Sequence, residues 1–191
     1  MNGGIPGENL TLTCKITMTV VYGIRWIRPN GGSPQMIILC DTANKVCDPA
    51  GGINGYTATI VSPTQHDLTI YSFNTATDVG KWICRDGSTG AGQFSCIMTF
   101  KSGPDSVTIS PPSPGSVPEG GSLTVTCAAS CNPPCSYSWT PRNQQISPTS
   151  QLKLININRS QTGNVYTCTA TNSAIPKSES KDFKLTVYCE Y

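Results

Sequence analysis

The chain has a single histidine among its 191 residues, and this scarcity bears directly on catalysis. A Ser-His-Asp arrangement needs a histidine held between a nucleophile and an acid. His66 lies instead in the segment PTQHD at 63–67, which predicts the turn before a strand and a solvated imidazole. Carboxylates do not recur at a spacing typical of paired acid and base groups. We therefore expect no enzymatic activity.

Charged residues are also few, at 13% of the chain, and the net charge is only +2. Residues 1–102 carry seven basic and six acidic groups, and residues 103–191 carry six and five, so each half has a charge of +1. Binding to nucleic acid or to an anionic membrane usually needs a basic patch, so we expect neither partner. Because no signal peptide and no long apolar run is present, the sequence predicts no membrane anchor within these residues.

Sequence signals for cofactors and metals are missing as well. The Gly31-Gly32 and Gly51-Gly52 segments lack the lysine and the helix of a phosphate-binding loop. The C-x3-C and C-x6-C cysteine pairs have no histidine beside them, which argues against a zinc site. We predict no cofactor and no metal.

Cysteine, by contrast, is abundant, with ten residues in the chain. Such a count in a small protein favours an oxidising compartment over metal binding. Two N-x-[ST] sequons, at Asn9 and Asn158, are candidate glycosylation sites and agree with that compartment. We predict an extracellular protein, either secreted or the ectodomain of a membrane protein.

Two Cys…Trp…Cys triplets follow one another along the chain; they are Cys14, Trp26 and Cys84, then Cys127, Trp139 and Cys168. In both, the tryptophan comes twelve residues after the first cysteine. Apolar residues alternate around the triplets, which is typical of strands with one buried face. The run SGPD at 102–105 breaks this alternation. The pattern predicts one domain at 1–102 and a second at 103–191.

A strand signature accompanies the first triplet, because DVGKWIC at 78–84 matches D-x-G-x-Y-x-C with Trp82 in place of tyrosine. Together these motifs resemble the immunoglobulin superfamily. The resemblance implies an all-β chain of two tandem immunoglobulin-like β-sandwiches, V-type and then C2/I-type. Similar tandems occur in carcinoembryonic-type adhesion molecules, siglec-type lectins and invertebrate immune-recognition proteins. Met1 precedes Cys14 by only thirteen residues, so we expect it to be an engineered initiator within a longer ectodomain.

The resemblance also implies one disulfide across each sandwich, Cys14 to Cys84 and Cys127 to Cys168. Local spacing predicts two more, Cys40 to Cys47 across the turn between strands C′ and C″, and Cys131 to Cys135 around two prolines.

Two cysteines are then left without an expected partner. Cys96 alternates with Phe94 and Met98, so we expect a buried free thiol there. Cys189 is available to a following domain or to a second chain.

A binding site is predicted on the first domain. If Trp26 points inward, period two sends Arg25 and Ile27 outward on strand C, and likewise Ile83 and Arg85 on the neighbouring strand F. A face that mixes isoleucine with arginine is typical of a protein interface, although an ordinary solvated sheet face remains the alternative. Arg28 alternates inward with Trp26, so we expect a structural ion pair with Asp78.

The distal loops extend this candidate site, since Asp86 and Gly90 lie between strands F and G in a glycine-rich segment. The leading hypothesis is a recognition module, for cell adhesion or immunity, that binds a protein ligand or a second copy through the GFCC′ face and these loops. One alternative is a lectin that binds acidic glycans through Arg85, which resembles in register the sialic-acid arginine of siglec-type lectins. A structural spacer within a longer ectodomain is the other.

Overall fold

The computed structural model describes residues 3–88, 91–141 and 146–189. The chain divides into two compact units, Met1–Phe100 and Lys101–Tyr191. Each unit is built from two β-sheets, and helix is limited to short turns. The all-β fold class expected from the sequence is confirmed.

In its described residues, the first domain has nine strands, a 3-10 turn at Asn30–Gly32 and a turn of α-helix. In chain order the strands and the helix are β1 (Gly3–Gly4), β2 (Leu10–Lys15), β3 (Ile24–Arg28), β4 (Gln35–Asp41), β5 (Val46–Pro49), β6 (Tyr56–Ser62), β7 (Gln65–Ile70), α1 (Thr75–Asp78), β8 (Gly80–Asp86) and β9 (Ala91–Phe100). One sheet has the order β1-β9-β8-β3-β4-β5 and the other β2-β7-β6. Because β4 and β5 supply strands C′ and C″, this domain is V-type.

The two sheets of the first domain enclose one core. Its buried members are Leu12, Cys14, Ile16, Ile24, Trp26, Ile37, Ile38, Cys40, Leu68, Ile70, Phe73, Trp82, Cys84 and Met98. Alternation explains the pattern, since β2 buries Leu12 and Cys14 and exposes Thr11 and Thr13. The Cys14–Cys84 disulfide joins the sheets across this core. Each large apolar side chain buried there contributes about 1.5–3 kcal/mol.

His66 is not the solvated loop histidine that the sequence predicted. The strand β7 begins one residue earlier, at Gln65, so alternation turns His66 inward together with Leu68. The imidazole is 0% exposed, and its residue lies opposite Cys14 in the β2–β7 ladder. The turn is therefore confined to residues ahead of the histidine.

The corner between α1 and β8 is held by two polar arrangements. Trp82, at the usual tyrosine position, donates its Nε1 hydrogen to the Asp78 carbonyl at 2.7 Å. The expected direct ion pair between Arg28 and Asp78 is replaced by a relay, because Arg28 donates to the Tyr56 hydroxyl at 3.0 Å and Tyr56 donates to Asp78 Oδ1 at 2.6 Å. A hydroxyl can serve both because it accepts and donates at once.

In its described residues, the second domain has seven strands. They are β10 (Val107–Ser110), β11 (Gly115–Pro118), β12 (Leu123–Ala129), β13 (Ser136–Thr140), β14 (Gln151–Leu154), β15 (Val165–Asn172) and β16 (Lys177–Tyr188). The sheets have the orders β10-β12-β14 and β11-β16-β15-β13. Within the described residues no strand follows β13 in its sheet, which fits the C2/I type. Trp139 packs in the core beside the Cys127–Cys168 disulfide.

Two further disulfides are local. Cys40–Cys47 closes the turn between β4 and β5, and Cys131–Cys135 closes the loop between β12 and β13. Cys96 and Cys189 are free thiols, and both are half-buried.

Candidate functional site

The predicted binding residues lie on the outward side of the six-stranded sheet of the first domain. We call this surface the outer face; it consists of Arg25, Ile27, Met36, Leu39, Ile83 and Arg85. Strand register arranges it in two rows. Arg25 pairs with Leu39 on one side and Arg85 on the other, and Ile27 pairs likewise with Met36 and Ile83. The structure thus brings together four of the six residues predicted as ligand-binding.

A β-bulge lies beside one of them, Ile27, which is less exposed than predicted. The register between β3 and β4 shifts between Trp26 and Ile27, so that Ile37 and Ile38 are both buried in the core and Met36 is turned outward. Ile27 was predicted as an exposed residue of this face, and it is only 8% exposed. It does not belong to the core cluster, and its cross-strand partners on the face are Met36 and Ile83. Ile27 therefore lies between Met36 and Ile83 on the outer face but presents little of its own surface to solvent.

The two arginines of this surface lie directly opposite one another on neighbouring strands. Arg25 and Arg85 are directly paired in the β3–β8 register, and both side chains are half-buried. Each Nε is buried without a hydrogen-bond partner. Within the described part of the chain neither guanidinium has an ion-pair partner.

Asp86 has a different role from the one predicted. It was expected to be a ligand-binding residue of a distal loop, but it is only 5% exposed. Its carboxylate accepts hydrogen bonds from the backbone N–H groups of Val21 and Tyr22, at 2.7 and 2.8 Å. Because both oxygens are occupied, Asp86 positions the loop between β2 and β3. The other predicted loop residue, Gly90, lies outside the described residues.

The loop positioned by Asp86 carries exposed apolar side chains that the sequence analysis missed. Tyr22 is 72% exposed, and Met18 and Val21 are exposed beside it. Tyrosine and methionine are enriched in protein interfaces. The signal was the short apolar run at 20–22 between the two strands, of which only Val20 packs against the core.

Both sequon asparagines are exposed. Asn9 Oδ1 accepts from the backbone N–H of Ser72 at 3.2 Å, and Asn158 Oδ1 accepts from that of Ser160 at 2.9 Å. These bonds use the carbonyl oxygen of each side chain and orient the amide nitrogen that would carry a glycan.

A cleft of about 570 Å³ opens between β2 and β9, and its lining includes Phe94, Cys96 and both sulfur-bearing residues of the core disulfide. In the second domain β10 pairs with β12, whereas among the described residues of the first domain no strand covers the corresponding edge of β2. Burial raises the pKa of the Cys96 thiol, which keeps it protonated and poorly nucleophilic.

Over the described ranges, no helix is long and apolar enough to cross a membrane. Those residues also contain no group of three or more His, Cys, Asp and Glu side chains placed to hold a metal ion.

Comparison with known proteins agrees with the fold. Residues 106–187 match the family model described as immunoglobulin domain. A similar solved structure is Dpr11 IG1 bound to DIP-gamma IG+IG2, with a TM-score of 0.62 and 19% identity over 98% of this chain and 94% of that chain. DIP-gamma IG1+IG2 has a TM-score of 0.64 and 18% identity over 99% and 94%. An I-band fragment of titin has a TM-score of 0.64 and 19% identity over 97% and 62%.

At these identities the likeness to solved structures concerns the fold alone. The family model covers the second domain, and the first has the sheet order and the core disulfide of the V-type sandwich. The chain has the fold of two tandem immunoglobulin-like β-sandwiches, and its second domain matches the immunoglobulin domain family over residues 106–187.

Proposed function

We propose that this protein is an extracellular recognition module that binds a protein partner through the outer face of its first domain. The observation that carries the proposal is the composition of that face. Two half-buried arginines without ionic partners adjoin an apolar row, which consists of Met36, Ile27 and Ile83. Interface centres combine apolar side chains that exclude water with arginine, whose donors give directional bonds. Met18, Val21 and Tyr22 extend the contact area at the distal end.

Two further observations support the proposal. The Dpr11 structure is described as bound to DIP-gamma, so a protein of similar fold takes part in a protein complex. Four disulfides in a chain of 191 residues favour an oxidising, extracellular setting. The partner is either another ectodomain or a second copy of the chain.

The test is a charge placed in the apolar row. Ile83→Asp should abolish binding to an identified partner from an ectodomain array, or self-association in sedimentation velocity, because it puts an unpaired carboxylate in a desolvated contact. Val61→Asp is the matched control, since Val61 is an exposed aliphatic residue on the other sheet. Circular dichroism would establish that both variants fold. Equal binding by the two variants would remove the outer face from the proposal.

A glycan-binding function is the second candidate, favoured by the unpaired Arg85 one residue after Cys84. A guanidinium can bind the carboxylate of an acidic sugar in a bidentate manner. In this case Arg85→Ala should lose binding to sialylated cells, sialidase treatment should have the same effect, and Lys81→Ala should not. Absence of any interaction at high concentration would leave the spacer role, for which the similarity to the titin fragment is the supporting observation.

A further inference from the structure

Arg25 and Arg85 form an unusual cross-strand pair. Residues directly opposite in an antiparallel ladder have Cβ atoms about 4.5–5.5 Å apart, and like charges in such positions are destabilising. Proteins usually neutralise such a pair with a nearby carboxylate. Here the two side chains are half-buried, and the Nε of each is removed from water without a hydrogen bond. The pair therefore lowers the free energy of unfolding of the unbound protein.

Among the described residues, no neighbouring carboxylate compensates the pair. Asp86 is occupied by the backbone of the loop between β2 and β3, and Asp41 accepts hydrogen bonds from Ala43 and Asn44. Asp48 follows Leu39 in the same row, two strands from Arg25, a separation of about 10 Å. The positive charge of the pair therefore remains available to a ligand.

We propose that Arg25 and Arg85 form a carboxylate clamp that receives one Asp or Glu side chain of the protein partner. This inference rests on the proposed function and specifies the chemistry of its centre. Two guanidinium groups present parallel N–H donors that match the two oxygens of a carboxylate. The apolar residues that adjoin the pair in the strand register, Leu39 in its row and Ile83 in the next, favour an acidic side chain on a protein surface over a hydrated sugar.

The first experiment needs no partner. Sodium acetate is added to the full chain at constant ionic strength, set with chloride, and the Nε–H resonances of both arginines are followed by NMR. Saturable shifts at both Arg25 and Arg85 are expected in the native chain, and the Arg85 shift should be lost in Arg25→Gln. A shift of neither group, or of only one of them, would overturn the clamp. The methyl glycoside of N-acetylneuraminic acid is the second probe, and binding more than about tenfold tighter than acetate would reassign the site to a glycan.

The second experiment uses the protein partner that the ectodomain array identifies for the native chain, the same partner on which Ile83→Asp is tested. Arg25→Gln and Arg85→Gln should each weaken binding about tenfold or more, and the double variant should lose little beyond either one, because both contact the same carboxylate. Lys81→Gln, on the same strand and face, is the control for loss of a charge. In the unbound protein each arginine variant should unfold at a higher urea concentration than the native chain. If Ile83→Asp abolishes binding and the arginine variants do not, the clamp is wrong and the proposed function stands; if Ile83→Asp has no effect, the proposed function itself fails.

Discussion

At the scale of single residues, the polar groups inside the first domain have distinct tasks. Asp86 and Asp78 each accept several hydrogen bonds and hold backbone or relay contacts in place. His66 has no such task, because neither ring nitrogen has a partner with hydrogen-bond geometry. Burial lowers the pKa of His66, and the Pro63 carbonyl and the Asp67 carboxylate oppose this shift only in part.

The His66 environment makes stability depend on pH. With its pKa lowered in the folded state, the imidazole remains neutral there while the unfolded chain takes up a proton below about pH 6.5. The unfolded state then binds more protons, so the free energy of unfolding should fall as the pH falls below 6.5. His66→Leu should remove this part of the pH dependence and raise stability at pH 5. Urea unfolding at pH 5 and pH 8 measures both effects. If the free energy of unfolding changed equally between the two pH values in the native chain and in His66→Leu, His66 would not be the source of the pH dependence.

Asp86 should control the loop that carries Tyr22. Replacing it with alanine removes the acceptor of two backbone N–H groups, at a cost of about 1–3 kcal/mol in the free energy of unfolding. Hydrogen exchange at Val21 and Tyr22 should accelerate in Asp86→Ala and less in Asp86→Asn, which retains one oxygen. Unchanged exchange at both amides would show that other contacts hold the loop.

At the scale of elements, period-two alternation predicted most of what the structure contains. It gave the inward Cys14, and with Trp26 inward, as the family resemblance implied, it placed Arg25, Ile83 and Arg85 on the outward side of strands C and F, where the structure has them. The bulge beside Ile27 was beyond it, because one extra residue in β4 changes the register without a local signal in β3. The burial of His66 was not predicted, because nothing in the sequence shows that the turn at Pro63 and Thr64 ends before Gln65. The pairing of Arg25 with Arg85 needed the register of two strands far apart in the chain.

The relay between β3, β6 and α1 gives an element-scale prediction. Tyr56→Phe keeps the ring and removes the hydroxyl that joins Arg28 to the buried Asp78. The free energy of unfolding should fall by about 1–3 kcal/mol, because a buried carboxylate loses a donor. Thr57→Val, on the same strand but at an exposed hydroxyl, should change it by less than about 0.5 kcal/mol. Similar effects from the two substitutions would show that the relay does not stabilise the corner.

At the scale of the whole molecule, covalent bonds compensate for small cores. Each unit has about 100 residues, a size at which one sandwich core leaves only a modest net stability. A disulfide restricts the unfolded chain more when it closes a longer loop. The two bonds of the second domain differ in this respect, since Cys127–Cys168 has a sequence separation of 41 and Cys131–Cys135 a separation of 4.

These two bonds therefore should contribute unequally to the stability of one domain. In the chain-entropy treatment the longer loop is worth about 2 kcal/mol more, and removing a core sulfur beside Trp139 adds a packing loss to that difference. The paired substitutions Cys127→Ala with Cys168→Ala, and Cys131→Ala with Cys135→Ala, should lower the free energy of unfolding in that order of severity. Urea denaturation of the full chain, with hydrogen exchange in β12 and β15 to isolate the second domain, measures both. Equal losses would mean that the Cys131–Cys135 loop stabilises the folded state directly, through its own contacts, and not only by restricting the unfolded chain.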